Sequence, residues 1–341
     1  MVGDGRFGVA GGVAMAVMHG GTDALGAAPW DFSTNSNAAG PCPEVVALLR
    51  EVDAARYPDP AYTDLRAQLA QWHGVTAERI VIGVSASELI ARLTATVAAA
   101  HPRARVWLPE QHYGDYATQA AVYGVQRTDQ LAQAQLVWLC APSSPLGQDM
   151  AQPADWEGLP VQSQVVLDCA YAPLHLEDGV LAAWLARDRV WQLWTPNKAL
   201  GLCGLRAAYA IAPKGIDVAP MVQRASSWPV GAHGVALLQA WCTGTVQQWV
   251  QQSRAILREW KAQQLAVLQQ LGWECQPSVA NFMVCRWSSQ HEVPTTLKKL
   301  REQGVKVRDC TSFGLPGWVR VCVHTPAAQQ ALAQAWRRVI P

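Results

Sequence analysis

Lys198 stands just past an apolar run, in Thr195-Pro196-Asn197-Lys198-Ala199-Leu200-Gly201-Leu202-Cys203-Gly204-Leu205-Arg206. A lysine amine that condenses with a carbonyl needs a slender, mobile approach and a setting stripped of water. Arg206 follows eight positions on, after a glycine-interrupted turn, and its planar fork of donors suits a phosphate. A lone lysine in a chain of 341 residues is far more often a solvated surface group. The glycines and the arginine at these offsets reverse that expectation. A second candidate is Asp168, which ends the apolar run Val165-Val166-Leu167 and has Tyr171 three residues later. Carboxyl ends of strands are where α/β proteins place their ligands. Alone, Asp168 reads equally well as the cap of the turn that follows.

The lysine segment resembles that of the class I/II aminotransferase superfamily, pyridoxal-phosphate enzymes with the pattern Ser/Thr-x-x-Lys-x-x-Gly-Leu-x-Gly-Leu-Arg. The resemblance implies that Lys198 forms a Schiff base with pyridoxal 5'-phosphate. The cofactor ring draws electrons only while its nitrogen is protonated, which calls for a buried carboxylate beside it. Asp168-Cys169-Ala170-Tyr171 is similar to the family's Asp-x-Ala-Tyr, which makes Asp168 the partner of the ring nitrogen and Tyr171 that of the ring oxygen. Gly83-Val84-Ser85-Ala86-Ser87-Glu88 resembles the family's phosphate loop and opens a helix after a strand, where free N–H groups attract phosphate. The likeness assigns the phosphate to Ser85 and the amides of Ala86 and Ser87, with Thr195 and Arg206 completing the cradle. Without it, Ser87 reads as an ordinary helix cap. Tyr113 matches the aromatic that stacks on the cofactor ring, and His112 is its rival. One departure is plain: Ala141-Pro142-Ser143-Ser144-Pro145-Leu146-Gly147 stands where the family has Asn-Pro-Asn-Asn-Pro-Thr-Gly. Ser144 therefore replaces an asparagine at the ring oxygen, a shorter group that still donates one hydrogen bond.

Other segments narrow the resemblance. His19-Gly20-Gly21, Trp30 through Asn35, and Arg56-Tyr57-Pro58-Asp59 are similar to the opening of the cobalamin-pathway threonine-phosphate decarboxylases, relatives of histidinol-phosphate aminotransferase. This implies a homodimer with composite sites, Tyr57 reaching the cofactor phosphate of the partner, and His19 at the substrate. Arg308 and Arg320, close in sequence near a strand, match positions that hold a substrate's anionic groups; two arginines suit a small phosphorylated amino acid. The first expectation is decarboxylation of L-threonine O-3-phosphate to (R)-1-aminopropan-2-yl phosphate. The alternative is a histidinol-phosphate-like aminotransferase, and a further one is a non-catalytic cofactor-binding protein. A nicotinamide dehydrogenase is disfavoured, since no Gly-x-Gly-x-x-Gly follows a first strand.

These groups need a scaffold, and the apolar pattern predicts one. Continuous apolar runs at 79–82, 106–108, 136–140, 165–167, 190–194 and 207–211 read as strands buried on both faces of a parallel-type sheet. Helical patterns lie between them at 62–72, 87–99 and 113–122, giving an α/β layout. Beyond 224 the chain reads as two helices over 232–271, then strand 282–287, helix 294–303, strand 318–323 and helix 326–339. The predicted fold is fold type I of the pyridoxal-phosphate enzymes, an α/β/α sandwich with a mostly parallel sheet plus a small α+β domain. The expected division is an arm over 1–40 joining the small domain, a large cofactor domain over 41–225, and a small domain over 226–341.

Composition sets the remaining bounds. With 27 basic and 26 acidic side chains the net charge is +1, which offers no field for nucleic acid or an anionic membrane. Nine scattered cysteines, several inside apolar runs, match a reduced cytoplasmic protein rather than a disulfide scaffold or a metal site. The glycine-rich, weakly apolar start is too short for a membrane span. Residues 1–18 read as a disordered extension, with Met18 an alternative start.

Overall fold

The computed structural model describes residues 20–150, 159–160, 162–177, 188–287 and 290–340. After β1 (Trp30–Asp31), α1 (Pro43–Arg50) and α2 (Thr63–His73) come β2 (Ile80–Gly83), α3 (Ala86–Ala100), β3 (Arg105–Trp107), α4 (Gly114–Val122) and β4 (Gln126–Arg127). The central strands are β5 (Leu136–Cys140), β6 (Gln164–Asp168) and β7 (Val190–Trp194), followed by β8 (Ala208–Ile211). One seven-stranded sheet results, in the order β2-β8-β7-β6-β5-β3-β4.

All neighbours are parallel except those of β8, which runs antiparallel to both β7 and β2. The apolar runs alone predict a parallel-type sheet and do not single out this strand. The reason lies in the connection. Parallel strands need a crossover, usually a helix, whereas the 195–207 segment folds back on itself and returns β8 beside β7. That segment carries Lys198 and Arg206, so the reversal hangs both from the carboxyl edge of the sheet.

Every residue of β5 and β7 is buried, yet successive side chains serve different cores. Leu136, Trp138, Val166 and Leu193 pack under α3 and α4 with Leu89, Leu93 and Tyr116. Val137, Leu139, Val165 and Leu167 face the opposite layer. There α2 is joined by α6 (Ala232–Trp241), α5 (Ala219–Gln223) lying on the first face. Trp138 is fully buried and stacks on Tyr116 with centroids 4.6 Å apart; its truncation to alanine would cost roughly 3–5 kcal/mol.

The long helix α7 (Gly244–Gln270) leads to a four-stranded antiparallel sheet of β9 (Glu274–Cys275), β10 (Phe282–Arg286), β12 (Arg308–Asp309) and β13 (Val319–Cys322), ordered β12-β13-β10-β9. Helices α8 (Val293–Glu302) and α9 (Pro326–Val339) flank it, the latter begun by Thr325, whose hydroxyl accepts from the Ala328 N–H. Trp273, Trp287 and Trp336 meet in one cluster, 4.9–5.1 Å between ring centroids. Between α8 and β12, β11 (Val305–Lys306) pairs in parallel with β1, tying the chain's opening to its end. Asp23 reinforces the tie through Lys306 at 2.6 Å and Arg301 at 3.3 Å.

Candidate active site

A cavity of about 360 Å³ lies beyond the carboxyl ends of β5, β6 and β7, where those strands meet the amino end of α3 and the strand pair β12–β13. In register, Asp168 sits between Cys140 of β5 and Leu193 of β7. Twelve of the residues singled out from sequence line this cavity: Ser85, Ala86, Ser87, Tyr113, Ser144, Asp168, Tyr171, Thr195, Lys198, Arg206, Arg308 and Arg320.

The floor is Asp168. Its carboxylate accepts from the Tyr116 hydroxyl at 2.7 Å and from the Ala170 N–H at 2.9 Å. Burial pushes its pKa up, while these two donors and the charge of Lys198 pull it back. Tyr116 is itself sandwiched against Trp138 and fully buried, which drives its own pKa well up. Tyr116 lies three residues after Tyr113, but nothing in its spacing marks it as a partner of a carboxylate 52 residues away.

The amino end of α3 also lines the cavity. Ser85 caps α3, its hydroxyl accepting from the Glu88 N–H at 3.1 Å. The cap is therefore Ser85, and the alternative that assigned it to Ser87 is corrected. Ser87 instead meets the Tyr113 hydroxyl at 3.3 Å. Thr195 contributes a buried hydroxyl with no hydrogen-bond partner, and Arg206 presents an exposed side chain at the rim. An orphaned buried hydroxyl, the helix-end amides, a guanidinium and a buried carboxylate in one cavity fit pyridoxal phosphate.

Asn197 holds the lysine loop closed. Its side chain donates to the carbonyls of Cys203 and Leu205 at 3.4 and 3.2 Å and accepts from the Lys198 N–H at 3.0 Å. Gly201 takes φ +70°, and a Cβ there would lie 3.0 Å from the backbone of Pro41. The glycine is needed for both reasons. The Lys198 amine comes within 5.4 Å of the Tyr171 ring centroid, and the Tyr171 hydroxyl accepts from Asn35 at 3.1 Å.

The facing wall carries two arginines. Arg308 and Arg320 are directly opposite each other in the β12–β13 register, and both are buried. Like charges so placed repel, and burial with the Arg320 charge lowers the pKa of Arg308. Arg308 donates to Ser312 at 2.8 Å and to the Asp309 carbonyl at 2.7 Å. Arg320 donates to the Ser33 carbonyl at 3.2 Å, while its Nε is buried without a partner. Phe313 lies against both guanidiniums, 4.9 and 5.6 Å from its ring centroid. Asn35, Asn197, Ser33 and Phe313 were not assigned roles from sequence, although the first three lie within the motifs quoted above.

Two candidates fall elsewhere, and a third is not described. His112 does not line the cavity; its Nδ1 lies 2.9 Å from the Pro109 carbonyl, and burial lowers its pKa. Tyr57 is 77% exposed, outside its own chain's cavity, and stacks on Trp228 at 4.4 Å. His19 lies outside the described residues, but its neighbour Gly20 lines the cavity. A Cβ on Gly20 would come 2.1 Å from the Ser33 carbonyl oxygen, so only glycine lets this segment lie against Ser33.

The profile of the family described as aminotransferase class I and II matches residues 29–335, and the chain belongs to that family of pyridoxal-phosphate enzymes. The histidinol-phosphate aminotransferase of Ruegeria sp. (strain TM1040) is 32% identical over 333 residues, covering 89% of each chain. That of Symbiobacterium thermophilum is 30% identical over 332 residues, covering 91% of this chain and 90% of the relative. Among solved structures, the L-threonine-O-3-phosphate decarboxylase of Porphyromonas gingivalis superposes with a TM-score of 0.75 at 21% identity, over 90% of this chain and 98% of that one. The histidinol-phosphate aminotransferase of Sinorhizobium meliloti, in complex with pyridoxal-5'-phosphate, gives 0.74 at 22%, over 90% and 89%. At these identities the structural likeness speaks for the fold alone. Among the described residues no helix is long and apolar enough to cross a membrane.

Proposed function

We propose that this enzyme works at the Cα of a small phosphorylated amine, by amino transfer of the histidinol-phosphate kind. The observation that carries a phosphorylated substrate is the buried pair Arg308 and Arg320, set face to face in the cavity that also holds Lys198. Two like charges in that position call for an anion between them or beside them. What supports amino transfer is the group of relatives about 30% identical over nine-tenths of the chain, which carry that name.

When bound, pyridoxal phosphate supplies an electron sink for the bond broken at Cα. In this proposal Lys198 would hold the cofactor and would carry the Cα proton of the substrate. Asp168 keeps the ring nitrogen protonated. Tyr171 and Ser144 donate to the ring oxygen, and Tyr113 stacks on the ring. Ser85, the amides of Ala86 and Ser87, Thr195 and Arg206 hold the phosphate, with Tyr57 entering from the other protomer of a homodimer. Arg308 and Arg320 would bind the anionic groups of the substrate and so fix its orientation at Cα.

A second reading is decarboxylation of L-threonine O-3-phosphate, in which the same residues would hold the substrate for loss of its carboxylate. The opening segment favours it. Gly20 of the His-Gly-Gly motif and Ser33 and Thr34 of the second motif line the cavity, with Ser33 bonded to Arg320. One assay separates the readings. The cofactor-loaded enzyme is given histidinol phosphate with 2-oxoglutarate, and separately threonine phosphate alone. Glutamate from the first supports amino transfer; carbon dioxide from the second, without glutamate from the first, replaces it with the lyase. Turnover of neither would leave a cofactor-binding protein without this chemistry.

A further inference from the structure

Cys275 and Cys285 face each other across β9 and β10, with their sulfurs 3.2 Å apart. The Gln276 N–H donates to the Val284 carbonyl at 2.9 Å. The adjacent cysteine pair therefore occupies a non-hydrogen-bonded position, where side chains on antiparallel strands approach most closely. The two thiols are not equivalent. Cys285 is fully buried, whereas Cys275 is partly exposed on the edge strand of the small sheet. The Cys285 thiol donates to the Cys275 sulfur, which lowers the pKa of Cys275, while burial raises that of Cys285. A partly exposed sulfur whose thiolate is favoured by a buried resolving thiol 3.2 Å away is an arrangement suited to thiol–disulfide exchange.

We propose that Cys275 and Cys285 form a reversible disulfide site, closed by a low-molecular-weight disulfide as oxidant. The Cys275 thiolate attacks one sulfur of the oxidant, forming a mixed disulfide and expelling one thiolate. Cys285 then loses its proton and attacks the Cys275 sulfur, expelling the second thiolate. Two protein thiols are oxidised by two electrons, and the oxidant leaves as two thiols that take up the two protons.

The location gives the bridge a consequence. The segment between the two cysteines joins the small sheet to the large one. The Val279 N–H donates to the Gly147 carbonyl and the Leu176 N–H to the Val279 carbonyl, both at 2.7 Å. Gly147 closes the loop that carries Ser144, Leu176 follows shortly after Tyr171, and Phe282 packs edge-on against the Tyr171 ring at 4.7 Å. A covalent link between the strands on either side of this segment clamps that seam without touching the cavity.

The test uses the cofactor-loaded full chain incubated with oxidised glutathione, then alkylated, digested and read by mass spectrometry. The expected result is a linked pair of peptides containing Cys275 and Cys285, formed before any other cysteine reacts and reversed by dithiothreitol. The thermal midpoint of the oxidised protein should rise by roughly 5 °C. A Cys275→Ser variant, altered at the exposed partner so that the core is left intact, should show neither the link nor the rise. A stable glutathione adduct on Cys275 with no link to Cys285 would overturn the proposal, as would oxidation of other cysteines at an equal rate.

Discussion

The two walls of the cavity are built on opposite plans. The Asp168 wall rests on the ends of three central strands, and its charge is met in advance: Tyr116 and the Ala170 N–H occupy the carboxylate, and Trp138 backs Tyr116. The arginine wall rests on a two-residue strand paired with β13, and sets two guanidiniums against each other with one buried Nε unpartnered. Asp168 has its charge met without a ligand, whereas Arg320 keeps one buried donor unmet. A cofactor that stays through every turnover suits a rigid seat. A substrate that comes and goes suits a wall whose repulsion its own anion relieves.

This contrast can be broken from either side. The largest effect belongs to Lys198, which both walls serve. Lys198→Ala should lower turnover by at least about 10⁴-fold and leave no pyridoxyl group on the protein after borohydride reduction. Next come the arginines. Arg320→Gln should raise KM for the phosphorylated substrate on the order of 10²-fold while leaving the cofactor absorbance unchanged. If the wall is strained as described, the thermal midpoint without substrate should not fall, and inorganic phosphate should stabilise the wild type but not the variant. A cofactor spectrum altered as much as KM would erase the distinction between the walls.

A third test concerns what underlies the satisfied wall. His73 is mostly buried beside Tyr209, whose hydroxyl it meets at 2.8 Å, and below Trp194, which precedes Thr195. Burial pushes its pKa down to about 4 from 6.5. The unfolded chain therefore takes up a proton that the native chain refuses between these values. The contribution is fully present above pH 6.5 and is lost as pH falls through 4, amounting to at most about 3 kcal/mol. Urea titrations at pH 7 and pH 4.5 should show this loss in the wild type and a smaller one in His73→Gln. The smallest effect is expected from Tyr116→Phe. Removing one donor lets burial push Asp168 further up, so the acid limb of the rate profile should move to higher pH. On that limb the rate should fall about tenfold, with little change near neutrality. A uniform loss across all pH would instead mean that Tyr116 merely fills space.

Much of the site was legible because its parts are local. The lysine segment, the Asp168-to-Tyr171 strand end and the Ser85–Ser87 helix start are each contiguous, and each has a type-and-spacing pattern dictated by its own backbone. Asn35 escaped assignment because its partner Tyr171 is 136 residues away, and Tyr116 because Asp168 is 52 away. The roles of Ser85 and Ser87 were half readable: both residues suit a helix start, and which one caps depends on where the first turn begins. His112 and Tyr113 were adjacent rivals, and only the tertiary packing turned Tyr113 into the cavity.

From sequence alone came the alternating α/β order, the two-sided burial of the central strands and the chemistry available to Lys198, Asp168 and Arg206, since each follows from short-range pattern and residue type. Only the tertiary structure reversed β8, set Arg308 opposite Arg320 and laid Gly20 against Ser33. Those outcomes depend on strand register and on approaches between segments far apart in the chain, and no local pattern encodes which distant backbone will arrive.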